Sequence, residues 1–247
     1  MKISVNGHDC VHDLSGQGAN LALLHSVGLS SRDGWRHQVG ELAQHHRVLS
    51  YDIRGLGCSE RGGAPLGIAT FADDLAALLA ALDIGRTVIM GVSLGGFIAQ
   101  AFTLAHPEIV TALVLVSTTC HIPGANAARR ENRNQAIHAR GMEAAVDGQI
   151  ASHFSPDYIA ANPETVAWYR AHYLATDPES YIEIMNDLGE FDRCGEIGAI
   201  TCPTLIVAGA DDTSSVSGKD LASAHQLTEE IPGAELVVIP GALHYPH

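Results

Sequence analysis

Apolar residues along this chain gather in short runs. Leu21–Leu24, Val48–Tyr51, Val88–Met90, Ala112–Val116, Thr204–Ala208 and Leu236–Ile239 each read as a buried parallel strand. A strand covered on both faces has no polar side to alternate with. Between most of these runs the spacing becomes helical. Phe71–Leu82 is one such stretch, with Thr70 as its N-cap ahead of Asp73 and Asp74; Leu94–Leu104 is another. Strands alternating with helices predict an α/β fold, a mostly parallel central sheet flanked by helices. Residues 2–13 add two short strands joined by Asn6-Gly7, a hairpin signal.

From His121 to Glu196 the alternation stops. Ala127–Gly141, Met142–Phe154, Pro163–Ala175 and Pro178–Leu188 have helical spacing, and no core strand interrupts them. Ordinary connections between sheet strands are far shorter. The expected organisation is therefore a core from residues 1–120 and 197–247 with a helical lid, 121–196, inserted between two strands.

Composition narrows the field. With 247 residues, 46% of them hydrophobic, the chain can bury a large core. Fourteen Lys and Arg face 28 Asp and Glu, with no basic stripe, which argues against nucleic acid as a partner. An anionic substrate would need a local cation against this negative field. The five cysteines, at positions 10, 58, 120, 194 and 202, are odd in number and include no Cys-x-x-Cys, so reduced thiols are expected. No signal-peptide core opens the chain and no apolar run is of membrane-spanning length. Together these features lead to the expectation of a cytoplasmic protein with no membrane partner. Fourteen dispersed histidines show no metal-ligand spacing, so no metal site is expected.

The chemistry centres on Gly91-Val92-Ser93-Leu94-Gly95. It follows an apolar β-branched run and precedes a helix pattern, a context that sets a serine on a sharp turn with its hydroxyl presented as a nucleophile. Ser93 needs a base, an orienting acid and an oxyanion hole. In this topology the partners follow in the order Ser, acid, His. The run Thr204–Ala208 ends in Gly209-Ala210-Asp211-Asp212; the spacing favours Asp212, with Asp211 second. The run Leu236–Ile239 leads to Pro240-Gly241-Ala242-Leu243-His244, which makes His244 the base. The oxyanion N–H groups are assigned to Leu94, at a helix N-terminus, and to Val27, in the loop His25-Ser26-Val27-Gly28. His25 reads as a structural side chain bonding its own loop. Asp52-Ile53-Arg54-Gly55-Leu56-Gly57 reads as a structural loop rather than a phosphate loop, because no Lys-Ser/Thr follows its glycines.

As a set, strand-His-x-x-Gly, Asp-x-Arg-Gly-x-Gly-x-Ser, Gly-x-Ser-x-Gly-Gly, Gly-x-Asp-Asp and the late His resemble the α/β-hydrolase superfamily over nearly the whole chain. Within it the chain is similar to the 3-oxoadipate enol-lactonases. The shared features are the serine of His25-Ser26-Val27-Gly28, the run Gly91-Val92-Ser93-Leu94-Gly95-Gly96, and the lid signals Arg140-Gly141-Met142, Phe154-Ser155-Pro156 and Leu174-Ala175-Thr176-Asp177-Pro178-Glu179-Ser180-Tyr181. The resemblance implies a cofactor-free serine hydrolase of a small carboxylated lactone or ester, with Arg133 matching the family's lid arginine and clamping the carboxylate. His25 stands where the family has Asn, His153 where a lid Trp is common, and Arg130 where another lid Trp precedes the Arg. The chain also ends three residues after His244, where the family continues into a final helix. Either the chain is truncated or that sheet face is covered in another way. The alternatives are a C–C bond hydrolase of ring-fission products, a cofactor-free haloperoxidase-like esterase, and a non-catalytic ligand receptor on the same fold.

Overall fold

The computed structural model describes residues 1–122, 127–212 and 220–247. An amino-terminal hairpin, β1 (Lys2–Val5) and β2 (His8–Ser15), turns through Asn6 and Gly7, both at positive φ (46° and 76°). That is the conformation an Asn-Gly turn favours between twisted strands. There follow β3 (Ala19–Leu24), two short helices α1 (Ser31–Gly34) and α2 (Val39–Leu42), β4 (His46–Tyr51), α3 (Ile68–Ala81), β5 (Thr87–Val92), α4 (Leu94–Ala105) and β6 (Val110–Val116). Five helices come next: α5 (Ala127–Arg140), α6 (Val146–His153), α7 (Pro156–Ala161), α8 (Pro163–Leu174) and α9 (Pro178–Leu188). The chain then returns to the sheet as β7 (Thr204–Gly209), α10 (Asp220–Glu230) and β8 (Glu235–Ile239).

The eight strands order as β1-β2-β4-β3-β5-β6-β7-β8. β1 and β2 pair antiparallel, as do β2 and β4; every pair from β4 through β3 to β8 is parallel. A parallel array aims all its carboxyl ends at one edge, where loops from different strands converge. The sequence runs fall inside these strands, but the run in β8, the last strand of the sheet, is not buried as expected: none of its residues is fully enclosed and Val237 is exposed. Helix α4 is the most enclosed element: Leu94, Phe97, Ile98 and Phe102 are fully buried between the sheet and α3. Cutting such a phenylalanine to alanine typically costs about 3–5 kcal/mol.

Three expectations are corrected. Helix α3 starts at Ile68 with Gly67 as its cap residue, not at Phe71 after Thr70. Its cap is supplied by tertiary structure: the Ile68 N–H donates to Asp187 Oδ2 of α9 at 2.8 Å, and a carboxylate also complements the positive helix end. The stretch Met142–Phe154 is not one helix. A 3₁₀ turn at Gly141–Ala144 precedes α6, and a separate short helix, α7, follows with Ser155 as its side-chain cap. Finally, the cysteines are not all reduced. Cys120, after β6, is disulfide-bonded to Cys194, after α9, which closes both ends of the helical insertion. Cys10, Cys58 and Cys202 are free thiols. The reduced-thiol support for a cytoplasmic location falls away with this pairing. No helix among the described residues is long and apolar enough to cross a membrane.

Candidate active site

Ser93 joins β5 to α4 with φ 52° and ψ −115°, outside the ordinary regions for a residue with a side chain. The turn is held because its neighbours leave no alternative. A Cβ at Gly91 would lie 2.2 Å from the Gly95 carbonyl oxygen, and one at Gly95 would lie 2.2 Å from that of Leu24. Only glycine permits strand, turn and helix to approach so closely. The Ser93 N–H donates to the Val116 carbonyl at 2.9 Å, which ties the turn to β6. Leu94 opens α4, so its N–H is among the first four of the helix, which have no intrahelical acceptor.

Asp212 and His244 lie beyond β7 and β8, on the same sheet edge as Ser93. Asp212 Oδ2 is 2.9 Å from His244 Nδ1, and both side chains are buried. Asp211 is exposed. Its N–H donates to the Ala242 carbonyl, and a Cβ at Gly209 would meet the Leu243 carbonyl oxygen at 2.2 Å, so the acid and histidine loops are pressed together.

Val27 is buried in the loop after β3, the strand that pairs with β5 on its other side. His25 holds this loop: its Nε2 accepts from the Ile53 N–H at 2.9 Å, which leaves Nδ1 to donate to the Ser26 carbonyl at 2.7 Å. Burial lowers its pKa, which favours the neutral tautomer this pattern requires. The next loop is structural, as read from the sequence. Asp52 accepts from the N–H groups of Ser31 and Cys58, both at 2.8 Å, and Arg54 pairs bidentately with Asp74 at 2.6 and 2.7 Å.

The helical insertion roofs this edge with aromatic rings. A Cβ at Gly28 would meet the Tyr173 ring at 2.4 Å, so α8 rests directly on the loop of Val27. His153, at the end of α6, stacks on His244 with ring centroids 4.7 Å apart, and its Nδ1 lies 2.8 Å from the Tyr169 hydroxyl. The Tyr245 hydroxyl neighbours Ser26 and Tyr169, but none of the buried hydroxyls of Ser26, Tyr173, Tyr181 and Tyr245 makes a well-formed hydrogen bond. Buried polar groups of this kind are found where a polar ligand or water is accommodated. Arg133 donates from Nε and Nη2 to Asn134 Oδ1, and from Nη2 to Asn186 Oδ1 at 3.0 Å. Burial draws its pKa down, and Tyr181 and Tyr173 stand close to it.

Tyr169, Tyr173 and Tyr245 are not marked by any sequence signal above, and Tyr181 appears only as the end of the lid run Leu174–Tyr181. Tyr169 and Tyr173 are four apart, which puts them on one face of α8, and that spacing is the signal that would have found them. The cluster of possible metal ligands among the described residues, Cys120, Cys194 and Glu230, has both sulfurs joined in the disulfide.

Comparison with known proteins gives a consistent picture. Residues 20–247 match the family model described as the alpha/beta hydrolase fold. A RutD protein of Azorhizobium caulinodans, named as a carbamate hydrolase, is 31% identical over 232 residues, 92% of this chain and 85% of its own. The 3-oxoadipate enol-lactonase 2 of Acinetobacter baylyi is 28% identical over 198 residues, covering 80% of this chain and 73% of its own. The crystal structure of the enol-lactonase from Burkholderia xenovorans LB400 superposes with a TM-score of 0.90 at 27% identity, over 99% of this chain and 93% of that one.

Proposed function

The chain belongs to the α/β-hydrolase fold family, and on that premise we propose that it is a serine hydrolase of a small carboxylated lactone or ester, 3-oxoadipate enol-lactone or a close analogue. The observation that carries this reading is the buried Asp212–His244 pair, 2.9 Å apart, on the sheet edge where Ser93 sits in its strained turn.

Ser93 Oγ attacks the substrate carbonyl while His244 Nε2 takes its proton. Asp212 fixes the tautomer by accepting from Nδ1 and stabilises the imidazolium that forms. The N–H groups of Val27 and Leu94 hold the oxyanion. The tetrahedral adduct collapses by breaking the acyl–oxygen bond, and His244 returns the proton to the departing oxygen. In a lactone that oxygen stays tethered to the acyl chain. Water, deprotonated by His244, then attacks the acyl-enzyme, and the acid is released with Ser93 restored. Each step uses side chains, backbone and water. The aromatic roof of α6 and α8 limits water at this edge, where a drier site strengthens these electrostatic contacts. Arg133 is the candidate carboxylate clamp; the likeness to enol-lactonases supports it, and its bonds to Asn134 and Asn186 hold the guanidinium in place.

A second reading has an observation of its own: the RutD relative, named as a carbamate hydrolase, aligns over 92% of this chain. The same residues would then pass through a carbamoyl-enzyme. A turnover panel of enol-lactones, simple lactones, short esters, carbamates and ring-fission products, with Ser93→Ala as control, tests both. Ser93-dependent turnover of a carboxylated lactone supports the first reading, and carbamate preference the second. No turnover on any member, or turnover that survives in Ser93→Ala, contradicts the hydrolase assignment.

A further inference from the structure

A cavity of about 310 Å³ opens between the helical insertion and the segment that carries α1. Ser93, Val27 and Leu94 are not among its walls, but His153 and Tyr245 are, and both rings neighbour that of His244. Its walls are unusual for this protein. The chain has only 13 aromatic residues (5 Phe, 2 Trp and 6 Tyr), and Phe154, Tyr158, Trp168, Tyr169 and Tyr245 all face this one space. Among the described residues, Tyr158 is also one of the few large apolar side chains exposed to solvent.

Arg36 sets the polarity of the cavity. Its guanidinium lies 4.1 Å from the centre of the Trp168 ring, stacked as cations prefer on indole faces. Nε donates to His37 Nε2 at 3.0 Å and Nη2 to Thr165 Oγ1 at 3.3 Å, so the group is oriented from two sides by acceptors that are not carboxylates. It has no carboxylate partner among the described residues. Asp33 also borders the cavity, but it accepts from the Ser30 hydroxyl and faces His172 Nε2 at 3.6 Å. In a chain with net charge −14, a half-buried guanidinium without a carboxylate partner among the described residues, inside an aromatic chamber, is a prepared anion site.

We propose that this cavity binds a planar aromatic carboxylate, its ring against Trp168 and Tyr158 and its carboxylate on the open Nη edge of Arg36. The ligand is a free aromatic acid or the carboxyaryl tail of an ester whose carbonyl reaches Ser93. Only the substrate-tail form rests on the hydrolytic reading; binding itself does not, and its test is made on Ser93→Ala protein, where Ser93-dependent turnover cannot intervene. Benzoate is titrated and followed by tryptophan fluorescence. The chain has two tryptophans; Trp168 walls the cavity and Trp35 is buried against His247, so a response lost in Trp168→Phe is the one that reports on Trp168. The expected result is saturable quenching by benzoate that weakens about tenfold or more in Arg36→Gln. Affinity should be intermediate in Arg36→Lys, which keeps the charge without the planar fork. Benzyl alcohol, which lacks the charge, should bind equally to all three. Absence of saturable benzoate binding overturns the proposal, as does an unchanged affinity in Arg36→Gln or a signal that survives Trp168→Phe. In wild-type protein, competitive inhibition of a carboxyaryl ester by benzoate identifies the substrate-tail form, and non-competitive inhibition the free-ligand form.

Discussion

The ring of His153 is stacked on that of His244, with centroids 4.7 Å apart and planes 27° from parallel. The contact joins the helical insertion to the candidate catalytic base, because His153 ends α6 and is itself anchored by the Tyr169 hydroxyl of α8 at 2.8 Å. Seating the insertion and fixing the His244 ring are thus one event. His153→Ala should lower kcat by about tenfold, roughly 1.4 kcal/mol of transition-state stabilisation. His153→Phe keeps the stack and loses only the bond to Tyr169, so it should retain most of the rate. Equal losses in the two variants would show that the hydrogen bond, not the stacked ring, positions His244.

Asp212 and Asp211 are adjacent, and only Asp212 reaches His244 Nδ1. Asp212→Asn should lower kcat by about 10⁴-fold, the size of loss the same change causes in serine proteases, because an amide favours the wrong imidazole tautomer. Asp211→Asn, at an exposed side chain, should change kcat little. Steady-state kinetics of the two variants would contradict this account if their order were reversed.

Arg133 separates substrate recognition from support of the insertion. As a carboxylate clamp, its replacement by alanine should raise KM about tenfold for a carboxylated lactone, equivalent to about 1.4 kcal/mol, and leave neutral short esters nearly unaffected. Equal losses on both substrates would mean that its bonds to Asn134 and Asn186 serve only to join α5 to α9.

Several histidines, among them the buried His25 and His153 and the half-buried His247, give stability a definite pH dependence. Burial holds the pKa of His153 well below its ordinary value, lowers that of His25, and takes that of His247 down to about 4. In the unfolded chain each titrates near pH ~6.5. Below that pH the unfolded chain takes up protons that the folded chain excludes. Stability is therefore full above pH ~6.5 and falls as pH drops, by up to about 1.4 kcal/mol per pH unit for each histidine until its folded-state pKa is reached. Urea midpoints should hold steady above about pH 7 and decline below ~6.5, with a shallower decline in His153→Phe. An unchanged slope in that variant would contradict a neutral, buried His153.

Much of this architecture is legible in the chain because it rests on local causes. The strand runs are apolar because those of β3 and β4 are buried on both faces, while β5, β6 and β7 bury one face fully and the other in part; the Ser93 turn needs glycines at its closest approaches. What was not legible depends on contacts between distant residues. The true start of α3 is set by Asp187, 119 positions away, so no local signal could outrank Thr70. Cys120 and Cys194 are 74 residues apart and become partners only when the insertion folds back on its own base. Arg36 and Trp168 meet across the same fold, and neither carries a motif. His153 stood out in the sequence only as a departure from a common tryptophan; the stacked ring of His244 gives that position a physical role.

The central claim is that Ser93 is a nucleophile activated by the Asp212–His244 pair. Stoichiometric reaction with a fluorophosphonate, followed by mass spectrometry of the modified peptide, tests it most directly. The account predicts one adduct per chain, located on Ser93, formed quickly in the wild type, greatly slowed in His244→Ala and absent in Ser93→Ala. An adduct on another residue, or labelling of Ser93 at the same rate without His244, would contradict it.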